Sequence, residues 1–191
     1  MLKRFCLQFV CVAVFVSCAA VFAAAQPTPK KSPGKKPVTI AVKQPRNVVD
    51  FYLLLPDKYV GNYSRAVRQK KLKDFGTTDT QNGYLEILAQ RENDANIYVA
   101  IFKRDAGSYL ITTASGKWSD TGLYKYNFFE YDGKTFKDVT KQVLPEGFKF
   151  SDYGTEGYVC ALPRFDRTMN CRNAEGKITY LGWTGKDFVI E

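Results

Sequence analysis

The chain has 191 residues, enough for one domain of ordinary size with extensions. Its formal charge of +9 suggests a nucleic-acid binder until it is divided along the chain: Lys3 and Arg4 carry two charges, residues 26–46 carry six with no acid, and the remainder holds 20 basic against 19 acidic residues. No histidine is present, which excludes Ser-His-Asp and Cys-His catalysis and removes the commonest metal ligand and neutral-pH general base.

The first 25 residues read as an export signal, with a positive n-region, an apolar run and Ala23-Ala24-Ala25 as a small-residue cleavage site. Two alternatives stand beside cleavage. Residues 5–25 give 21 positions without a charge, enough to anchor in a bilayer. "VFVSC" also resembles a loose lipobox that would lipidate Cys18. Residues 26–46 follow, with prolines at 27, 29, 33, 37 and 45 among six cations. Such a segment cannot bury a core. It is expected to be a stiff, extended linker reaching on the order of 60 Å, in contact with membrane or cell wall if its charge is used.

The globular part is expected over 47–191. "VVDFYLLLPDKYVG" opens it as an apolar run closed by Pro56 and Gly61. "YSRAVRQKKLKD" then predicts a short helix with Ser64 as N-cap. Its Arg65, Arg68, Lys70, Lys71 and Lys73 form a candidate basic patch, which is ordinarily just a solvated helix face. Beyond Asn82-Gly83, six short segments rich in Tyr, Phe, Ile, Val and Thr alternate with turn residues about every ten positions. The fold class expected is α+β, mostly antiparallel β: a single domain of β-hairpins with one short helix near its start. Alternation in "YLEIL" predicts one buried and one wet face. "FFEYDGKTF" (128–136) and "YLGWTGKDF" (180–188) share one aromatic-glycine-lysine-aromatic pattern and predict two similar hairpins.

"DFYLLLPDKY", "YSRAVR", "TQNGYLEI", "YDGKTFKDVTKQVLP", "ALPRFDRT" and "LGWTGKDF" together resemble a recurring pattern in uncharacterised exported bacterial proteins. The resemblance covers most of the chain after Val48 and rests on aromatic and turn positions. It therefore implies a shared fold more than a shared chemistry. No activity is established for that family, so it assigns no catalytic residue, and Cys160 and Cys171 look like additions to its pattern.

Those two cysteines lie at equal distances from the Phe165/Asp166 midpoint, so a hairpin centred there sets them opposite each other as a disulfide. Outside residues 1–25 there are no other cysteines, so a four-thiolate zinc site is excluded, and no metal or cofactor is expected. "GKT" at Gly133 lacks the earlier glycine of a phosphate loop. Asp152 with Glu156, or Glu130 with Asp132, could be nominated as a hydrolytic carboxylate pair. Trp118, Tyr153 and Tyr158 sit beside glycines in polar stretches and are candidate binding aromatics. The expected role is a non-catalytic binding module of the cell envelope, with an envelope protein or glycan as partner and no nucleic acid. A secreted carboxylate-dependent polysaccharide hydrolase and a purely structural envelope protein are the alternatives.

Overall fold

The computed structural model describes residues 45–117, 124–151 and 156–191. All of them fall in one compact unit, Val42–Glu191. Helix α1 (Val48–Leu54) opens it, capped by Asn47, whose side-chain oxygen accepts from the Val49 and Asp50 amides. Its buried residues Val48, Phe51, Tyr52 and the following Leu55 recur at helical spacing. Pro56 then ends the helix, and a 3-10 turn, Asp57–Tyr59, leads toward helix α2 (Arg65–Phe75). Ser64 stands at the N-cap position of α2, but its side chain makes no capping bond.

Ten strands follow among the described residues. A six-stranded antiparallel meander is formed by β1 (Gly76–Asp79), β2 (Tyr84–Ile87), β3 (Ala95–Lys103), β4 (Tyr109–Lys117), β5 (Lys125–Tyr131) and β6 (Phe136–Asp138). A four-stranded meander holds β7 (Tyr158–Ala161), β8 (Thr168–Asn173), β9 (Ile178–Trp183) and β10 (Phe188–Ile190). Between the sheets the chain makes a short helix, α3 (Thr140–Val143). The protein is α+β and mainly antiparallel β. It has more helix than the sequence suggested, because the apolar run after Asn47 is α1.

The larger sheet packs a layer on each face, which corrects the expectation of a wet face for "YLEIL" at Tyr84, while Glu86 is half-buried and Leu88 exposed. Leu85, Ile87, Ile97, Val99, Ile111 and Phe129 pack with α1 in one core. From the opposite face Tyr84, Ala100, Phe102, Leu110, Tyr126 and Phe128 pack against Met169, Leu181, Trp183 and Phe188 of the smaller sheet. Tyr84 is therefore buried rather than wet. The alternation was real, but each face meets a different layer.

Cys160 pairs directly with Cys171 across β7 and β8, and the two form a disulfide with Cα atoms 3.9 Å apart. A bridge of this kind belongs to an oxidising, exported compartment. Among the described residues no helix is long and apolar enough to cross a membrane. Residues 5–25, Cys18 and most of the Pro/Lys stretch lie outside the described residues.

Candidate functional site

The basic patch divides when it is placed on α2. Arg65, Lys70 and Lys73 face solvent. Arg68 departs from the expected patch, because its side chain is buried. One of its terminal nitrogens donates to the Tyr52 carbonyl, near the end of α1, and the other meets Asp57 at 3.0 Å. Burial pulls the Arg68 pKa down and Asp57 opposes that shift. Lys71 also turns inward, 3.0 Å from Asp94 and over the Tyr63 ring at 4.6 Å. Two of the five cations thus join the helix to neighbouring segments.

The Lys71–Asp94 pair flanks a cleft of about 800 Å³. Its lining comes from four places: the turn after the 3-10 segment, the start of β3, the facing ends of β4 and β5, and Phe150 with Ser151. Gly61 and Asn62 shape the first of these, both with positive φ (74° and 57°). A Cβ on Gly61 would fall 2.8 Å from the Tyr63 ring, so glycine is needed there for both reasons. Tyr63 is fixed in turn, donating to Asp94 at 3.2 Å and accepting from the Ala95 amide at 3.1 Å. Lys71, with help from the Tyr63 hydroxyl, holds the Asp94 carboxyl below the usual carboxylate range.

Opposite stands an aromatic wall. Tyr124 lies edge-on to Tyr126 with centroids 6.4 Å apart, and Tyr126 stacks on Phe150 at 4.1 Å. The Tyr126 hydroxyl accepts from the Cys160 amide at 2.8 Å and donates to the Cys160 carbonyl at 2.7 Å. These bonds satisfy outward-facing backbone groups of β7, the edge strand of the smaller sheet. Burial raises the Tyr126 pKa, so the phenol stays protonated and can donate. Lys58, Lys117, Lys125, Asn62 and Asn93 are among the polar lining residues. No Asp or Glu is among these lining residues.

The fold has a solved counterpart: a domain of an uncharacterized protein from Porphyromonas gingivalis W83 superposes with a TM-score of 0.50. The alignment covers 76% of this chain and 98% of that one, at 10% sequence identity. No family model and no curated protein matches the chain. The likeness is one of fold, and the chemistry rests on the residues themselves.

Trp118 and Tyr153 lie outside the described residues. Tyr158 is half-buried at the start of β7 and stacks on Phe148 at 5.2 Å, outside the cleft lining. Of the nominated carboxylates, Glu130 pairs with Arg104 at 2.8 Å, and Asp132 accepts from the amides of its own turn. Glu156 is exposed and Asp152 is outside the described residues. Among the described residues, no three His, Cys, Asp or Glu side chains gather as a metal set. Tyr63, Tyr124 and Phe150 were missed in the sequence because they come from separate elements, and no local signal joins them.

Proposed function

We propose that the protein is a non-catalytic binding module of the cell envelope, with a glycan as ligand in the lysine- and tyrosine-lined cleft. One observation carries this reading: a cleft of about 800 Å³ is lined by aromatic, amide and lysine side chains, and among the described residues its lining includes no carboxylate. Aromatic faces suit the apolar faces of sugar rings, while the donors suit hydroxyl and carboxyl oxygens. Glycoside hydrolysis would ask for two facing carboxylates, and the described lining residues supply neither. The disulfide and the signal-like N-terminus support an envelope setting, with residues 26–46 as a spacer.

The test is calorimetric titration of the full chain with soluble cell-wall glycan fragments, alongside Tyr124→Ala and Lys117→Gln/Lys125→Gln variants. The expected result is binding by the parent that weakens at least about tenfold, near 1.4 kcal/mol, in each variant, with unfolding temperatures unchanged. Release of new reducing ends from the glycan would overturn the non-catalytic reading. Undiminished affinity in both variants would overturn the cleft as the seat.

A further inference from the structure

The most exposed large hydrophobic side chain among the described residues is Phe165, at 78%. It stands at the tip of the β7–β8 hairpin, whose strands are joined by the disulfide. The tip is held in place. Arg164 meets Asp79 at the end of β1 at 3.3 Å, and its guanidinium lies 5.1 Å from the Phe165 ring. Beside the tip is a hollow of about 400 Å³ whose lining includes Arg46, Lys103, Arg164 and Arg167. Asp166 is the one acid in that lining, and its carboxylate already accepts from the Thr168 amide at 3.0 Å. Arg46 is also where the Pro/Lys-rich stretch, with six cations and no acid, joins the fold.

We propose that this face docks onto an anionic lipid bilayer, with Phe165 entering the headgroup layer and Arg46, Lys103 and Arg167 meeting lipid phosphates. Apart from its contact with the Arg164 guanidinium the Phe165 ring is largely open to solvent, yet a covalent staple and an ion pair hold the hairpin that carries it. A projecting apolar end inside a cationic collar suits a deformable, negatively charged surface, where burial and charge attraction act together. A protein partner would instead need a preformed pocket for the ring. Arg46, the last of the six cations of residues 26–46, is on the same rim.

A tryptophan at the tip reports on it directly. Full-chain Phe165→Trp is mixed with phosphatidylglycerol–phosphatidylcholine vesicles or with pure phosphatidylcholine vesicles, each with acyl-brominated lipid, and the parent's emission is subtracted. The expected result is a blue-shifted, quenched tip signal with the anionic vesicles only, lost in high salt and in a Lys103→Gln/Arg167→Gln background. Any membrane attachment through residues 5–25 would act on both vesicle types, so the difference between them isolates the tip. Solvent-like emission in both would overturn the proposal and leave the face to a protein partner. Equal quenching in both, or indifference to the charge variants, would overturn recognition of the anionic surface.

Discussion

The β5–β6 and β9–β10 hairpins are the same local design set into two different environments. In each, an aromatic residue pairs with a phenylalanine across a four-residue loop: Tyr131 with Phe136, Trp183 with Phe188. In each, the first loop amide donates to the fourth loop carbonyl, Asp132 to Thr135 at 3.3 Å and Thr184 to Asp187 at 3.0 Å. A side-chain oxygen of that first residue accepts from the third and fourth amides, at 2.7 Å for both in Asp132 and 3.2 Å for both in Thr184. The ring pairs have nearly the same spacing, 4.8 and 5.0 Å. Yet Tyr131 and Phe136 are half-buried beside the helix-side core, whereas Trp183 and Phe188 are buried between the sheets. Turn chemistry makes the hairpin, and the neighbouring layer decides how much it contributes.

The largest expected effect exposes that asymmetry. Phe188 meets Phe102, Phe128 and Trp183 within 5.5 Å between ring centroids, so Phe188→Ala should destabilise by about 3–5 kcal/mol. Phe136→Ala, at the matching position, should cost about 1–2 kcal/mol, because a half-exposed ring loses less burial. Urea unfolding of the two variants measures the difference, and equal costs would break the argument that the layer sets the weight.

The β7–β8 hairpin supplies the next contrast, since a covalent bond closes it where the other two rely on polar turns. Removing that bond in Cys160→Ala/Cys171→Ala should lower stability by roughly 2–3 kcal/mol, the chain-entropy value for so short a loop. The same urea titration reads it. A loss below that of a single turn glycine would mean that Tyr126, which engages both backbone polar groups of Cys160, already fixes the hairpin.

How much of this was legible in the sequence follows the range of the interaction involved. The hairpins and the facing cysteines were readable, because turn residues and alternation act within a few positions. Helix α1 was not read, because a run that is apolar except for Asp50 concealed the helical spacing of Val48, Phe51, Tyr52 and Leu55. Arg68 and Lys71 gave the opposite problem: their inward roles depend on Asp57 and Asp94, which the one-dimensional pattern does not pair with them. The second covered face of the larger sheet likewise follows from the tertiary meeting of two meanders. The cleft was least legible, as its Tyr63, Tyr124 and Phe150 meet only after three separate segments fold.

The turn glycines give a smaller effect. Gly133 and Gly185 hold φ of 94° and 105°, so alanine at either should cost about 1–2 kcal/mol of backbone strain. Gly185→Ala should be the worse of the two. Its Cβ would lie 2.2 Å from the Asp105 carboxylate, in a turn whose carbonyl accepts from the Asp105 amide at 3.2 Å. Thermal unfolding of both variants compares them, and an equal loss would mean that Asp105 simply swings away.

The smallest difference is one of pH. Asp132 and Thr184 occupy matching positions, but only Asp132 can lose its charge. The amides of Thr135 and Lys134 and the Thr135 hydroxyl hold the Asp132 carboxyl below its usual range. A carboxyl whose pKa is lower folded than unfolded contributes stability above its unfolded value, and that contribution disappears as pH falls through the folded one. The β5–β6 turn should therefore loosen below about pH 4, while Thr184 Oγ1 keeps accepting from Lys186 and Asp187. Amide NMR should show Lys134 shifting with acid more than Lys186, the matching position, while the Asp187 amide is set aside because its own carboxylate accepts from the Thr184 hydroxyl at 2.8 Å. Asp132→Thr should bring the two turns to the same response. If the contrast survives that exchange, the acid sensitivity comes from the strands around the turn rather than from its first residue.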